Sequence, residues 1–165
     1  FVVNAGAGPD PHPSDPVLAA AAIRHVDDGG TLLVVHLSTG PFPGDGAWEE
    51  LVGGRWIWDE SGHPPRGEFA VEIADDPLVD EVAGFSIVDE SYARLRLAGG
   101  SRVLASHRND PDGQRHPLVW TRSRGTGTVV VDLLGHDALS FESAGHRALL
   151  ERAIALVPPS RGAPG

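Results

Sequence analysis

The chain has 165 residues and a net charge of −10, with 41% hydrophobic and 22% charged residues, the balance of a soluble globular domain. Its 13 basic residues are all arginine; lysine and cysteine are absent. These absences exclude disulfides, a thiol nucleophile and a lysine Schiff base, and so acidic a surface repels nucleic acid.

No apolar run approaches the roughly 20 residues of a membrane helix, so no membrane partner is expected. No leader-like stretch opens the sequence, and a cytoplasmic location is expected, although a chain without cysteine suits the exterior equally. The length suits one domain, residues 1–157, with 158–165 as a flexible tail.

Phe1-Val2-Val3-Asn4 reads as a core strand, which implies an upstream strand and helix absent from this chain. The following Ala5 to Pro13 loop contains Gly6-Ala7-Gly8. Pro11 stands where G-x-G-x-x-G needs its last glycine, so a dinucleotide site is excluded. Ser14 or Asp15 can cap a helix from Pro16 to about Asp28, with Val17, Leu18, Ala21, Ala22 and Val26 inward. Thr31-Leu32-Leu33-Val34-Val35 is then a strand buried on both faces, and His36 falls at its carboxyl end. A strand, helix and strand in this order make a right-handed parallel crossover, which brings Asn4 and His36 to one edge, where α/β sheets bind ligands.

Beyond Gly40 come an irregular loop, a short helix at 47–52, and a long polar excursion carrying Arg55, Trp56, Trp58 and His63. Such residues beyond a strand end line pockets or staple a loop to the body. Glu68 to Ala74 alternates as a half-exposed strand, and further strands are expected at 85–88, 94–97 and 101–106, before a turn at Asn109 to Gly113. His116 to Thr121 and Thr128 to Leu134 form a hairpin across Gly125-Thr126-Gly127, with Gly135-His136-Asp137 at its end. A last helix covers 144–156, with Leu149, Leu150 and Ile154 inward.

Several of these stretches, in order, resemble the trehalose-utilisation ThuA-like family. They are Gly29 to His36, Leu51 to Trp56 with His63-Pro64, Asp89-Glu90-Ser91-Tyr92, His116 to Thr121 with Gly125 to Gly127, and Leu134 to Asp137. The resemblance implies the fold of class I glutamine amidotransferases, a flavodoxin-like three-layer α/β sandwich. Its sheet would be mostly parallel with antiparallel edge strands, here lacking the first strand and helix. It also implies a role in trehalose or keto-sugar metabolism. Glutamine hydrolysis is not implied, because that reaction needs a cysteine.

The catalytic candidates are His36 and His136 at two strand ends, with Glu90 as a carboxylate base and Tyr92 as a phenol that holds a hydroxyl. The two histidines either relay protons to a sugar oxygen or hold a divalent metal such as zinc. No histidine pair has the short spacing of a compact centre, so a metal would draw on His36, His63 and His136 from separate strands. Asn4, Ser38, Trp48, Arg55, His63 and Trp120 are the candidates for substrate binding. Ser38 also mimics a nucleophile elbow, but Pro41 and Pro43 block the helix behind it, so a serine hydrolase ranks third. His116 shapes a strand start before Pro117, and His12, His25, His107 and His146 read as surface residues.

The expected function is acid-base chemistry on a sugar. The alternative is a non-catalytic sugar-binding or accessory domain. An uncovered sheet edge would favour homo-oligomers.

Overall fold

The computed structural model describes residues 1–4, 16–36 and 46–155. In chain order its elements are β1 (Val2–Val3), α1 (Pro16–Asp27), β2 (Thr31–Val35), α2 (Gly46–Val52), β3 (Gly54–Arg55), β4 (Gly67–Ile73) and β5 (Phe85–Asp89). β6 (Arg96–Leu97), β7 (Arg102–His107), β8 (His116–Arg124), β9 (Gly127–Asp132), α3 (Ala138–Glu142) and α4 (Ala144–Ala155) complete it. The loop around Pro11, the cap at Ser14 or Asp15, His12, Ser38, most of the 41–46 loop and the tail at 158–165 lie outside the described residues.

β2 has parallel neighbours on both sides, as its continuous apolar run predicts: β1 on one side and β9 on the other. Between β1 and β2, α1 buries Ala19, Ala22 and Val26, a helical spacing of three and four that lays small side chains on the sheet. Val17, expected inward, is 72% exposed. Two residues from Ala19 at 3.6 per turn put it roughly 160° round the helix, on the outer face. The helix stops at Gly29, whose φ of +89° is the left-handed conformation glycine adopts after a helix end. His25 is half-buried rather than on the surface, with Nε2 3.0 Å from the Thr31 carbonyl oxygen.

The seven-stranded sheet has the order β1-β2-β9-β8-β7-β4-β5. Its first two pairings are parallel, and the other four, from the β8–β9 hairpin outward, are antiparallel, so the antiparallel part is well over an edge. β3 and β6 form a separate two-stranded ribbon.

Alternate residues of β9 enter two cores. Val129 and Val131 join Ala22 and Val26 of α1 and Trp48 and Leu51 of α2, while Val130 joins Leu149 and Ala153 of α4. Helices therefore cover both faces. On α4 the inward positions are His146, Leu149 and Ala153; Ile154, expected inward, is 37% exposed because it follows Ala153 round the helix and leaves that stripe.

The outer hairpin does not continue a flat sheet. β4 joins β7 only through Glu72 and Ile73, while its residues from Gly67 to Val71 pair with β5. Four strand spacings in a flat sheet would hold β5 about 19 Å from β9. Instead, Asp89 at the end of β5 accepts a hydrogen bond of 2.9 Å from the amide of Gly135, just past β9. The sheet curls, and this brings the ends of β5 and β9 together.

Candidate active site

Strand directions decide which residues meet. The carboxyl ends of β2, β9, β7 and β5 all leave the same edge of the sheet, because the antiparallel pairings alternate from β9 outward. His36, His136 and Glu90 follow three of these ends directly or within a short turn.

Glu90 is the centre of the group. Tyr92 donates its hydroxyl to Glu90 Oε2 at 2.8 Å, and the same phenol oxygen lies 3.1 Å from His36 Nε2. His136 Nδ1 stands 3.2 Å from Glu90 Oε2 and His36 Nε2 3.8 Å from it, while His63 Nε2 stands 3.9 Å from Glu90 Oε1. Three imidazoles thus surround one carboxylate. The Trp56 ring packs edge-on against Tyr92 at 5.1 Å and tilts over His63 at 6.2 Å, walling one side. Solvent reaches the group chiefly at His136, whose side chain is 40% exposed against 15% for Glu90.

The backbone is set to aim these side chains. His36 has φ of +57°, a left-handed conformation that histidine tolerates better than most residues and that concentrates at functional sites. Gly135 has φ of +109°, where a Cβ would come within 2.9 Å of Phe141 and 3.1 Å of Val35. That conformation turns its amide onto Asp89.

Asp89 is fully buried and accepts from the amides of Glu90 at 2.8 Å, Gly135 at 2.9 Å and His136 at 3.3 Å, and from the Ser140 hydroxyl. One carboxylate therefore fixes the main chain of both Glu90 and His136. Sequence reasoning passed over it, although a signal exists: Asp89 shares the inward phase of β5 with Ile87.

Two further histidines support the site from inside, and both are fully buried rather than on the surface. His107 donates from Nε2 to the Tyr92 carbonyl at 2.8 Å and accepts at Nδ1 from the Asn109 amide at 2.9 Å. That pattern requires the neutral ring, and burial holds its pKa below the ordinary histidine value. His146 places Nε2 2.8 Å from Asp132 Oδ2 and Nδ1 2.9 Å from the Ser140 carbonyl. Both partners only accept, so the ring donates twice and is an imidazolium. Burial opposes that charge; the hydrogen bond and the charge of Asp132 outweigh burial and raise the pKa.

In the exposed group, burial lowers the His36 pKa despite the Leu133 carbonyl and the Glu90 and Asp89 carboxylates beside it. The Tyr92 hydroxyl is pushed well above its ordinary value by burial and by the bond to Glu90, so it stays a donor.

The remaining candidates are placed as follows. Trp48 and Trp120, expected to bind substrate, are core residues at 1% and 0% exposure, and the Trp120 indole donates to the Val52 carbonyl at 2.8 Å. Trp48 lies one turn before Leu51 on α2, and Trp120 lies mid-strand in β8, the central strand of the sheet. Arg55 pairs with Glu49, which also binds Arg96, in a surface group between α2 and the β3–β6 ribbon. Asn4 is exposed just past β1, and Trp58, 45% exposed, stands edge-on to Trp56. His116 accepts from the Arg94 amide and faces Asp112 with its other nitrogen. Among the described residues, two groups bring three potential metal ligands within 4.8 Å of one another: His36, Glu90 and His136, and Asp110, Asp112 and His116. The first takes Glu90 where the sequence pattern pointed to His63.

The family model for ThuA, trehalose utilisation, matches residues 2–157. The chain belongs to the ThuA family. Among solved structures, a ThuA-like protein from Parabacteroides merdae superposes with a TM-score of 0.77 at 18% identity, over 99% of this chain and 72% of that one. A ThuA-like protein from Bacteroides uniformis gives 0.67 at 18% identity, over 88% of this chain and 65% of that one. A cold-adapted β-galactosidase from Rahnella sp. R3 gives 0.61 at 14% identity; the match covers 87% of this ThuA chain and 21% of the galactosidase. No curated protein matches the sequence. No helix among the described residues of this ThuA protein is long and apolar enough to cross a membrane.

Proposed function

We propose that this ThuA-family chain acts on a sugar, of the trehalose or keto-sugar class, by acid-base chemistry at the Glu90 group, without a cysteine nucleophile. The observation that carries this reading is one carboxylate held between a phenol and three imidazoles at a sheet edge, with a tryptophan wall beside it. Glu90 takes a proton from the sugar, and Tyr92, whose proton is given to Glu90, accepts from a sugar hydroxyl at its oxygen. His36 and His136 meet the oxygens whose charge changes, and His63 faces the free side of the carboxylate. A positioned acid or base of this kind contributes roughly 10²–10⁴ in rate. A flavodoxin-like class I glutamine amidotransferase-type sandwich accords with helices on both faces and with ligand binding beyond the carboxyl ends of β2 and β9.

Incubating the protein with keto-sugars and trehalose and following product tests the reading. Product from the native chain and at least a hundredfold less from His136→Ala supports it; equal rates remove His136 from the chemistry.

A second reading, a non-catalytic sugar-binding or accessory domain, draws on the β-galactosidase similarity, which spans about a fifth of that enzyme. It predicts thermal stabilisation by sugar with no product, since ligand at a hundredfold excess over its dissociation constant stabilises by about 2.7 kcal/mol.

A further inference from the structure

We propose that His36, Glu90 and His136 bind one divalent transition-metal ion of the zinc class, leaving coordination positions open toward solvent. That these positions take adjacent oxygens of a sugar rests on the function proposed above; the metal assignment itself does not.

The argument is geometric. A zinc ion with bonds of about 2.0–2.1 Å in tetrahedral array holds its ligand atoms roughly 3.3 Å apart. Glu90 Oε2 is 3.2 Å from His136 Nδ1 and 3.8 Å from His36 Nε2, and the three residues each bring one ligand atom within 4.8 Å of the others. Reaching that array takes about 0.5 Å between Glu90 and His36 and a closer approach of the two imidazoles, whose nitrogens start within 4.8 Å of each other.

The donors are right in kind as well as distance. Two imidazoles and one carboxylate, contributed by three separate strand ends, leave positions free, as in catalytic rather than structural sites. Glu90 Oε1 is not drawn into the set, so it stays available to take a proton from a bound ligand.

The surroundings supply the outer contacts a metal site needs. Tyr92 donates to the ligating oxygen of Glu90, the Leu133 carbonyl stands by the His36 ring, and Asp89 fixes the main chain of the other two ligands.

The competing group of Asp110, Asp112 and His116 lacks this freedom. Arg94 pairs with Asp110, His116 Nδ1 accepts from the Arg94 amide, and its Nε2 faces Asp112 at 3.1 Å. Its acceptors are already in use.

The test uses the full chain, stripped with a chelator and titrated with Zn²⁺ by calorimetry and with Co²⁺ by visible absorption. The expected result is one equivalent bound, with the strong visible bands of four- or five-coordinate cobalt. Glu90→Gln, nearly the same shape and still able to accept from Tyr92, should weaken binding beyond the roughly 10–100-fold loss typical of outer-contact changes. Asp112→Asn should bind as the native chain does. If Glu90→Gln fails to fold by circular dichroism, His136→Gln at the exposed end of the group carries the same expectation. No binding, binding unaffected by these ligand changes, or loss on Asp112→Asn would each overturn the proposal. Sugar is absent from the titration, so metal binding without sugar turnover sinks the functional reading alone, and sugar turnover by a chain that binds no metal sinks the metal alone.

Discussion

Two sets of histidines behave oppositely in this protein. His107 and His146 are fully buried with both ring nitrogens committed, the one as a neutral donor and acceptor, the other as a double donor. His36, His63 and His136 crowd one carboxylate at distances of 3.2 to 3.9 Å and stay partly open to solvent. The first arrangement leaves nothing for a ligand to add. The second holds more donors and acceptors than the protein itself consumes, and that surplus is what the proposed acid-base site would use.

The sharpest way to break this comparison is to remove an interior histidine. His146→Ala strands the buried Asp132 carboxylate and should destabilise the fold by about 3–5 kcal/mol, read from denaturant melts. A loss below about 1 kcal/mol would show that the buried pair does not hold α4 to the sheet. Asp89→Asn should come next: with the fold kept, it should slow turnover by roughly tenfold or more, because the amides of Glu90 and His136 lose their common anchor. Unchanged kinetics would deny that Asp89 positions the site.

The interior pair also separates by pH. The folded pKa of His146 lies above the unfolded value near 6.5, so its stabilisation is complete below that pH and is lost as pH rises through the folded value. His107 is the reverse: its folded pKa is depressed, so the stability it contributes is present above about pH 6.5 and is lost as pH falls through the folded value. Melting the native chain beside His146→Gln and His107→Gln across pH 5 to 9 should therefore remove the alkaline decline in one variant and the acidic decline in the other. Parallel curves for all three proteins would contradict both assignments.

The smallest effect is the control. Val17→Ser should change stability by no more than about 0.5 kcal/mol, because that side chain is 72% exposed.

Much of this could be read from residue order. The continuous run from Thr31 to Val35 announced a strand with parallel neighbours, the Gly125 to Gly127 turn announced the hairpin, and His36 and His136 were legible as two histidines at strand ends, which the parallel pairing of β2 with β9 brings to one edge. Glu90 and Tyr92 were legible as a chemically apt pair. What stayed hidden depends on the curl of β4 and β5, which no local pattern encodes: it carries Asp89 across to Gly135. His146 was misread because a polar residue on an inward stripe looks exposed until its partner Asp132, fourteen positions earlier, is known. Trp48 and Trp120 were misread for the opposite reason, since a large ring that fits a sugar also fits a core.

The most direct measurement is product formation from a keto-sugar by the native chain and by Glu90→Gln, with melting temperatures recorded on the same samples. The account predicts turnover by the native protein and at least a hundredfold less by a variant that melts within a few degrees of it. Equal turnover by the two proteins would contradict it, because the carboxylate that three imidazoles and a phenol surround would then take no part in the reaction.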